Sequence, residues 1–494
     1  MSKKLPIFYS AILLTGVNLL LRMVSTSFQV YLSGKIGAAG IGLLQMVLSV
    51  GSLAMTAGMA GIRTATMYLT AEEVGRKQYQ NIRWILSGCV RYSLFCSGAV
   101  AFLLFWFAPE IAQRWIGEGA TDNAVRLFAF FLPVNCLCGL MVGYFTAENR
   151  IGTLAAVEVA EQAVSMTLTI GLLHFWAKEE TMRSCAAIIM GSGFSSCGTL
   201  LCLLCIHMRK KVKAGPRIPV RKRLFGTAVP LALADDLKSG ISTVENLMVP
   251  KRLELCRKIE NPLASFGVIC GMVFPVLMFP AAILYGLAEL LIPELARCSA
   301  AGSQQRIRYL AGRSLRIAML YGCLFCGLLF LLSKELCVLL YDNVEAGRYL
   351  RWFSILIPML YCDTITDAMI KGLGQQTASV RYNILTSSMD VVFLFLLLPK
   401  YGIEGYYFSF LVTHLLNFIL SVKRLLKITG KLFSWAMPIA SGLALVISIF
   451  LSDTLNGLAI KTISYILLLG SLLFLFRVVS KEDVAWMKGL AYKK

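Results

Sequence analysis

Four side chains on one apolar stretch set the chemical problem. Residues 225–250 read FGTAVPLALADDLKSGISTVENLMVP, a run long and apolar enough to cross a bilayer that still carries Asp235, Asp236, Lys238 and Glu245. Read as a helix, Asp235, Lys238, Ser242 and Glu245 are spaced three, four and three, which puts them on one face. A charge at bilayer depth costs a few kcal/mol or more, so it normally faces a bundle interior or a wet cavity. A second stripe lies near the start of the chain, where Thr15, Asn18, Arg22, Ser25 and Gln29 follow at steps of three and four. Cations on these faces suit an anion, and the acids suit a cation, so the chemistry on offer is binding.

Other charges fall inside apolar runs. Arg63, Glu289 and the pair Glu158 and Glu161 are among them, as are Asp363, Asp367 and Lys371 at four-residue steps, which an internal ion pair would also explain. Asn383, Ser387 and Asp390 share a face. Two candidate groups follow. Arg22, Asn18, Ser25, Arg63, Lys238, Ser242 and Glu245 would line a substrate cavity. Asp235, Asp236, Asn383, Asp390 and Thr413 would hold a coupling cation, Na+ or H+, because hard oxygen ligands suit such an ion. No catalytic residue, resident cofactor or metal centre is expected. The two C-x-x-C pairs, Cys202 with Cys205 and Cys323 with Cys326, sit in apolar runs and read as buried small hydrophobes. The three histidines form no H-E-x-x-H. There is no nucleotide-binding loop and no nucleophile elbow, which argues against an enzyme and against an ATP-driven pump.

These side chains need membrane helices to position them. Of 494 residues, 57% are hydrophobic and only 15% charged, and the mean hydropathy is +0.71. Fourteen apolar runs of about 20 residues extend from 6–31 to 460–479. The expected class is an all-α polytopic membrane protein. The net charge of +21 is carried by alternate loops: Arg76, Lys77 and Arg83; Arg209 to Arg223; Arg297, Arg306 and Arg308; Lys423 to Lys431; Lys481 to Lys494. That is the positive-inside pattern, and it predicts cytoplasmic termini. It also accounts for the basicity without nucleic acid as a partner. The loop from Lys251 to Glu260 is net positive and runs against the rule.

One offset of 225 residues relates Gly42 to Gly267, Gly61 to Gly286, Pro133 to Pro358, and Leu172 and Leu173 to Leu397 and Leu398. This predicts a duplicated six-helix unit, inserted twice with the same sense, with a site expected near the midplane between the copies. The expected divisions are a lobe over 1–208, a basic linker over 209–224, a second lobe over 225–424, and two further helices with a tail over 425–494. Gly271, Pro275, Pro280, Gly286 and Pro293 should bend the eighth helix, making it a moving part of a gate.

The stretch IGAAGIGLLQMVLSVGSLAMTAGMAGIRTA resembles the first loop and second helix of the stage V sporulation protein B group of polysaccharide transporters. So do AVPLAL…NLMVPKRL, FGVICGMVFPVLMFPAAI…LIPELA and LLLPKYGIEGYYFS, in order along the chain. The resemblance implies the multidrug/oligosaccharidyl-lipid/polysaccharide exporter superfamily, which includes the MurJ-type lipid II flippases. It implies two pseudo-symmetric six-helix lobes around a central cavity that opens to either side in turn. In the flippase branch the cargo is an undecaprenyl-pyrophosphate-linked sugar held by cavity arginines. Arg22 sits at the first arginine of that branch's R-x-x-G-x-x-R pattern, with Ser25 at the glycine and Phe28 at the second arginine.

The expectation is therefore a flippase for a lipid-linked oligosaccharide or peptidoglycan precursor in a bacterial plasma membrane, with membrane lipids as its other partners. A cation-coupled drug antiporter of the same fold is the first alternative, favoured by Asp235, Asp236 and Glu245 and opposed by Arg22 and Arg63. A non-transporting scaffold in envelope or spore assembly is the second, and buried charges with nothing to bind count against it.

Overall fold

A computed structural model describes residues 7–76, 78–148, 150–177, 180–209, 220–430, 432 and 436–478. The expected linker lies largely outside these residues, as does the tail from 479 onward. Among the described residues there is no strand, and sixteen helices carry the fold. The first eight are α1 (Ile7–Met59), α2 (Ile62–Gly75), α3 (Ile82–Trp106), α4 (Asp122–Ala147), α5 (Ile151–Leu172), α6 (Thr181–Met208), α7 (Val220–Leu253) and α8 (Pro262–Val268). Then come α9 (Ala281–Ala300), α10 (Gln304–Tyr341), α11 (Val344–Ser354), α12 (Ile357–Gly372), α13 (Gln376–Tyr401), α14 (Ile403–Thr429), α15 (Ala436–Asp453) and α16 (Leu458–Leu475).

Ten of the described helical segments are long and apolar enough to cross a membrane, or twelve if each of two bent pairs is one span. Two features separate this count from the fourteen apolar runs. The first segment, Leu19–Val74, has 56 residues, about 84 Å of helix against a hydrocarbon core of about 30 Å. It is broken at Gly37, whose φ of 68° only glycine adopts without strain. The stripe helix α7 is absent from the count because Asp235, Asp236, Lys238 and Glu245 dilute its apolar content.

The chain divides into two compact units, 1–271 with 390–403, and 272–389 with 404–494. Helices α7 and α8 pack with the first half. In the first unit Ile62, Leu69, Ile85, Cys89, Tyr144, Phe145 and Leu203 form a core that also takes Leu224 and Ala228 of α7. Arg223, just ahead of them, donates to Glu73 at 2.9 Å and Glu72 at 2.7 Å at the end of α2. Further along, Thr243 donates to the Ser49 carbonyl at 3.0 Å, and Thr56 to the Ser239 hydroxyl at 3.3 Å. At the far end α8 lies directly on the backbone of α1. A Cβ added to Gly267 would stand 1.9 Å from the Ala38 carbonyl oxygen, and one on Gly42 would stand 2.3 Å from that of Leu263.

In the second unit the 38-residue α10 packs against α11, α12, α15 and α16. The proline-rich eighth run bends by 63° between Pro262–Met278 and Ala281–Ser299, as its sequence predicts. Carbonyls at the bend find tyrosines: Tyr361 donates to Leu277 at 3.0 Å and Tyr321 to Pro280 at 2.8 Å. The tenth run, read as one helix, also breaks, by 59° between α11 and α12, with Pro358 in the first turn of α12. Helices α15 and α16 dock through Tyr465, which is fully buried and donates to the Cys323 carbonyl at 2.6 Å.

Candidate functional site

Helix α7 shows three faces. Ala228, Ala232, Thr243 and Leu247 are buried, Leu233, Leu237 and Val244 are exposed and apolar, and Asp235, Lys238 and Ser242 are accessible and polar. The apolar exposed residues suit lipid. The polar ones would be costly there, which assigns them to a wet face. On α1, Arg22 and Ser25 are accessible as well, one turn apart. The side chain of Asn18 lies outside the described residues. Gln29, at the end of that stripe, donates to the Gly271 carbonyl at 3.3 Å and so has a packing role. Arg63 of α2 is accessible and interacts electrostatically with Glu158 of α5. Glu161, one turn on from Glu158, is taken up by packing: its carboxylate accepts from Ser196 at 3.1 Å and its carbonyl from Ser195 at 2.7 Å.

Glu245 departs from the rest of its stripe. Its carboxyl hydrogen-bonds that of Asp390 on α13, and Asp390 is only 5% exposed. Glu245 and Asp390 were placed in different groups by sequence, one with substrate and one with the coupling ion; the structure makes them one pair. It also separates Asp390 from Asp235 and Asp236. These precede Glu245 by ten and nine residues on α7, about 14–15 Å of helical rise. That rise is longer than one ion spans between its ligands. Asp236 lies instead near Tyr92, with one buried carboxylate oxygen lacking a hydrogen-bond partner among the described residues. The Thr413 hydroxyl is occupied in its own helix, on the Ser409 carbonyl at 2.9 Å, and Asn383 donates to the Ser379 carbonyl at 2.9 Å.

The pair makes a separable prediction. Glu245→Gln keeps a donor facing Asp390, so the thermal unfolding temperature in detergent should stay near that of the parent. Glu245→Ala leaves a buried carboxyl without its partner and should cost about 1–3 kcal/mol. Equal unfolding temperatures for the two variants would show that the pair carries no stability.

In the second unit Lys371 and Asp367 form an ion pair at 2.5 Å, the plainer of the two readings open for that stripe. Ser379 also donates to Asp367. Asp363 accepts from Asn417 of α14 at 3.1 Å, a partner its own helix gave no sign of. The Arg223 clamp on Glu72 and Glu73 was likewise missed. The adjacent acids at the end of an apolar run were its one signal, set against the basic stretch ahead of α7. Asp235 and Lys238, one turn apart, form no ion pair with each other.

The MatE family model matches residues 12–172 and 259–396. Stage V sporulation protein B of Bacillus subtilis (strain 168) is 21% identical over 500 residues, covering 96% of each chain. Among solved structures, the lipid II flippase MurJ in an inward closed conformation aligns with a TM-score of 0.69 at 13% identity, over 94% of this chain and 99% of that one. A multidrug resistance MATE family transporter of the MOP superfamily, inward-facing, aligns at 0.65 and 14% identity, over 84% of this chain and all of that one. The helical architecture is thus that of MATE and MurJ transporters. With its family model matching more than half of the residues, this multi-pass helical chain belongs to the MatE family.

Proposed function

We propose that this transporter is a flippase that carries an undecaprenyl-pyrophosphate-linked sugar across a bacterial plasma membrane by alternating access. The observation that carries the reading is the set of accessible cations on largely apolar helices, Arg22 on α1, Arg63 on α2 and Lys238 on α7. A pyrophosphate head needs cations or donors to cross, and arginine can clasp phosphate oxygens bidentately. The full-length similarity to a sporulation protein and the fold shared with a lipid II flippase support the same cargo class. An inside-negative potential favours outward movement of an anion by about 2.3 kcal/mol per charge per 100 mV. The Glu245–Asp390 pair fits a coupling proton, or Na+ once both carboxyls are ionised. The basic loops put both termini in the cytoplasm.

The test is transport by the purified protein in liposomes. Undecaprenyl-pyrophosphate-linked sugars should become accessible to an impermeant enzyme on the far side, while organic cations should not be moved. Export of organic cations with no movement of lipid-linked sugar would establish the drug antiporter instead. Movement of neither, with the protein folded and inserted, would favour the scaffold.

A further inference from the structure

A groove in the second compact unit has the make-up of a lipid site. It lies between α10, α14 and the start of α15, with a volume of about 380 Å³. Leu315, Met319, Cys362, Phe418 and Ile419 give it an apolar floor. Arg316 and Lys423 are the charged members of its lining, and no acidic side chain lines it among the described residues.

One hydrogen bond sets the level of these cations. Arg308 donates from Nε to the Thr429 carbonyl at 2.6 Å, so the start of α10 lies beside the end of α14. Arg316 is eight residues inward from Arg308, and Lys423 six inward from Thr429, which is about 12 Å and 9 Å of helical rise. The two cations therefore stand at nearly one depth, close to the basic ends of their helices. Beyond Lys423 the lining continues to Leu415, about 12 Å deeper.

An apolar slot capped by two cations near the membrane surface matches an amphiphile with an acyl chain and an anionic head. We propose that this groove binds an anionic phospholipid of the adjoining leaflet, its acyl chain along Phe418 and Ile419 and its phosphate between Arg316 and Lys423. Basic pockets between membrane helices select anionic headgroups in this way. A zwitterionic lipid brings an ammonium group toward the same two cations and loses part of that attraction. The assignment does not depend on which cargo the transporter moves.

The purified full-length chain, stripped of lipid, tests this directly. Phe418→Trp places a fluorescent reporter on the groove, read as the difference from the protein without it. Phosphatidylglycerol with brominated acyl chains should quench that signal at about tenfold lower concentration than brominated phosphatidylcholine. Adding Arg316→Gln with Lys423→Gln should erase the preference, whereas the exchange Arg316→Lys with Lys423→Arg should keep it, since charge is retained. Equal quenching by the two lipids in the reporter protein would overturn the proposal. So would a preference that survives neutralisation of both cations. Stronger quenching by a brominated polyprenyl phosphate than by phosphatidylglycerol would also overturn it, and would make the groove a seat for the cargo's tail.

Discussion

Replacing Arg22 by alanine should abolish transport of lipid-linked sugar without unfolding the protein. Arg22 is accessible on α1, one turn from the accessible Ser25. If it holds a phosphate, its loss leaves cargo charge partly unpaired. Breaking a charged hydrogen-bonded contact of this kind costs about 2–5 kcal/mol, or at least about thirtyfold in affinity. Arg22→Lys should restore only part of the rate, because the bidentate fork is gone. Lys238 should behave similarly, and the structure sharpens that test. Since Asp235 and Lys238 form no ion pair, the double change Asp235→Asn with Lys238→Gln should stay inactive. Initial rates in liposomes decide the matter. An Arg22→Ala protein at the parent rate, or an active double variant, ends the pyrophosphate assignment.

Gly267→Ala should be the most damaging glycine-to-alanine change among the described residues. Its Cβ would stand 1.9 Å from the Ala38 carbonyl oxygen and 2.7 Å from the Gly42 nitrogen, both backbone atoms that no rotamer change can move. Overpacking of this kind costs about 1–3 kcal/mol and sometimes more, and here it also drives α8 off α1. Gly98→Ala is the matched control. It lies inside α3 with nothing within 4 Å of an added Cβ, so it should gain about 0.5–1 kcal/mol from better helix propensity. Thermal unfolding in detergent should therefore move in opposite directions for the two. A Gly267→Ala protein as stable as the parent would mean that the two helices do not meet as closely as described.

Much of this was legible in the sequence because bilayer physics leaves few options. Runs of apolar residues had to be helices, and Pro275 and Pro280 had to disturb one of them. The stripe on α7 was readable because its charges recur at helical spacing, and the accessible Asp235, Lys238 and Ser242 lie where that spacing puts them. What could not be read was pairing across long separations. Nothing in the local spacing of Glu245 points to Asp390, 145 residues later, and nothing around Arg223 selects Glu72 and Glu73. Spacing on one helix reveals which side chains share a face. It does not reveal which other helix that face meets.

The crossing of α1 and α8 has a reciprocal form. Gly42 meets Leu263 and Gly267 meets Ala38, and both steps, 42 to 267 and 38 to 263, equal the repeat offset of 225 residues. Residue i of one copy touches j of the other, and j touches i, which is the rule of an isologous dimer interface. A single six-helix chain pairing with its twin would have made this contact twice from one glycine and one carbonyl. In a fused duplicate each glycine can change alone, and backbone crowding at both sites gives each its own reason to remain.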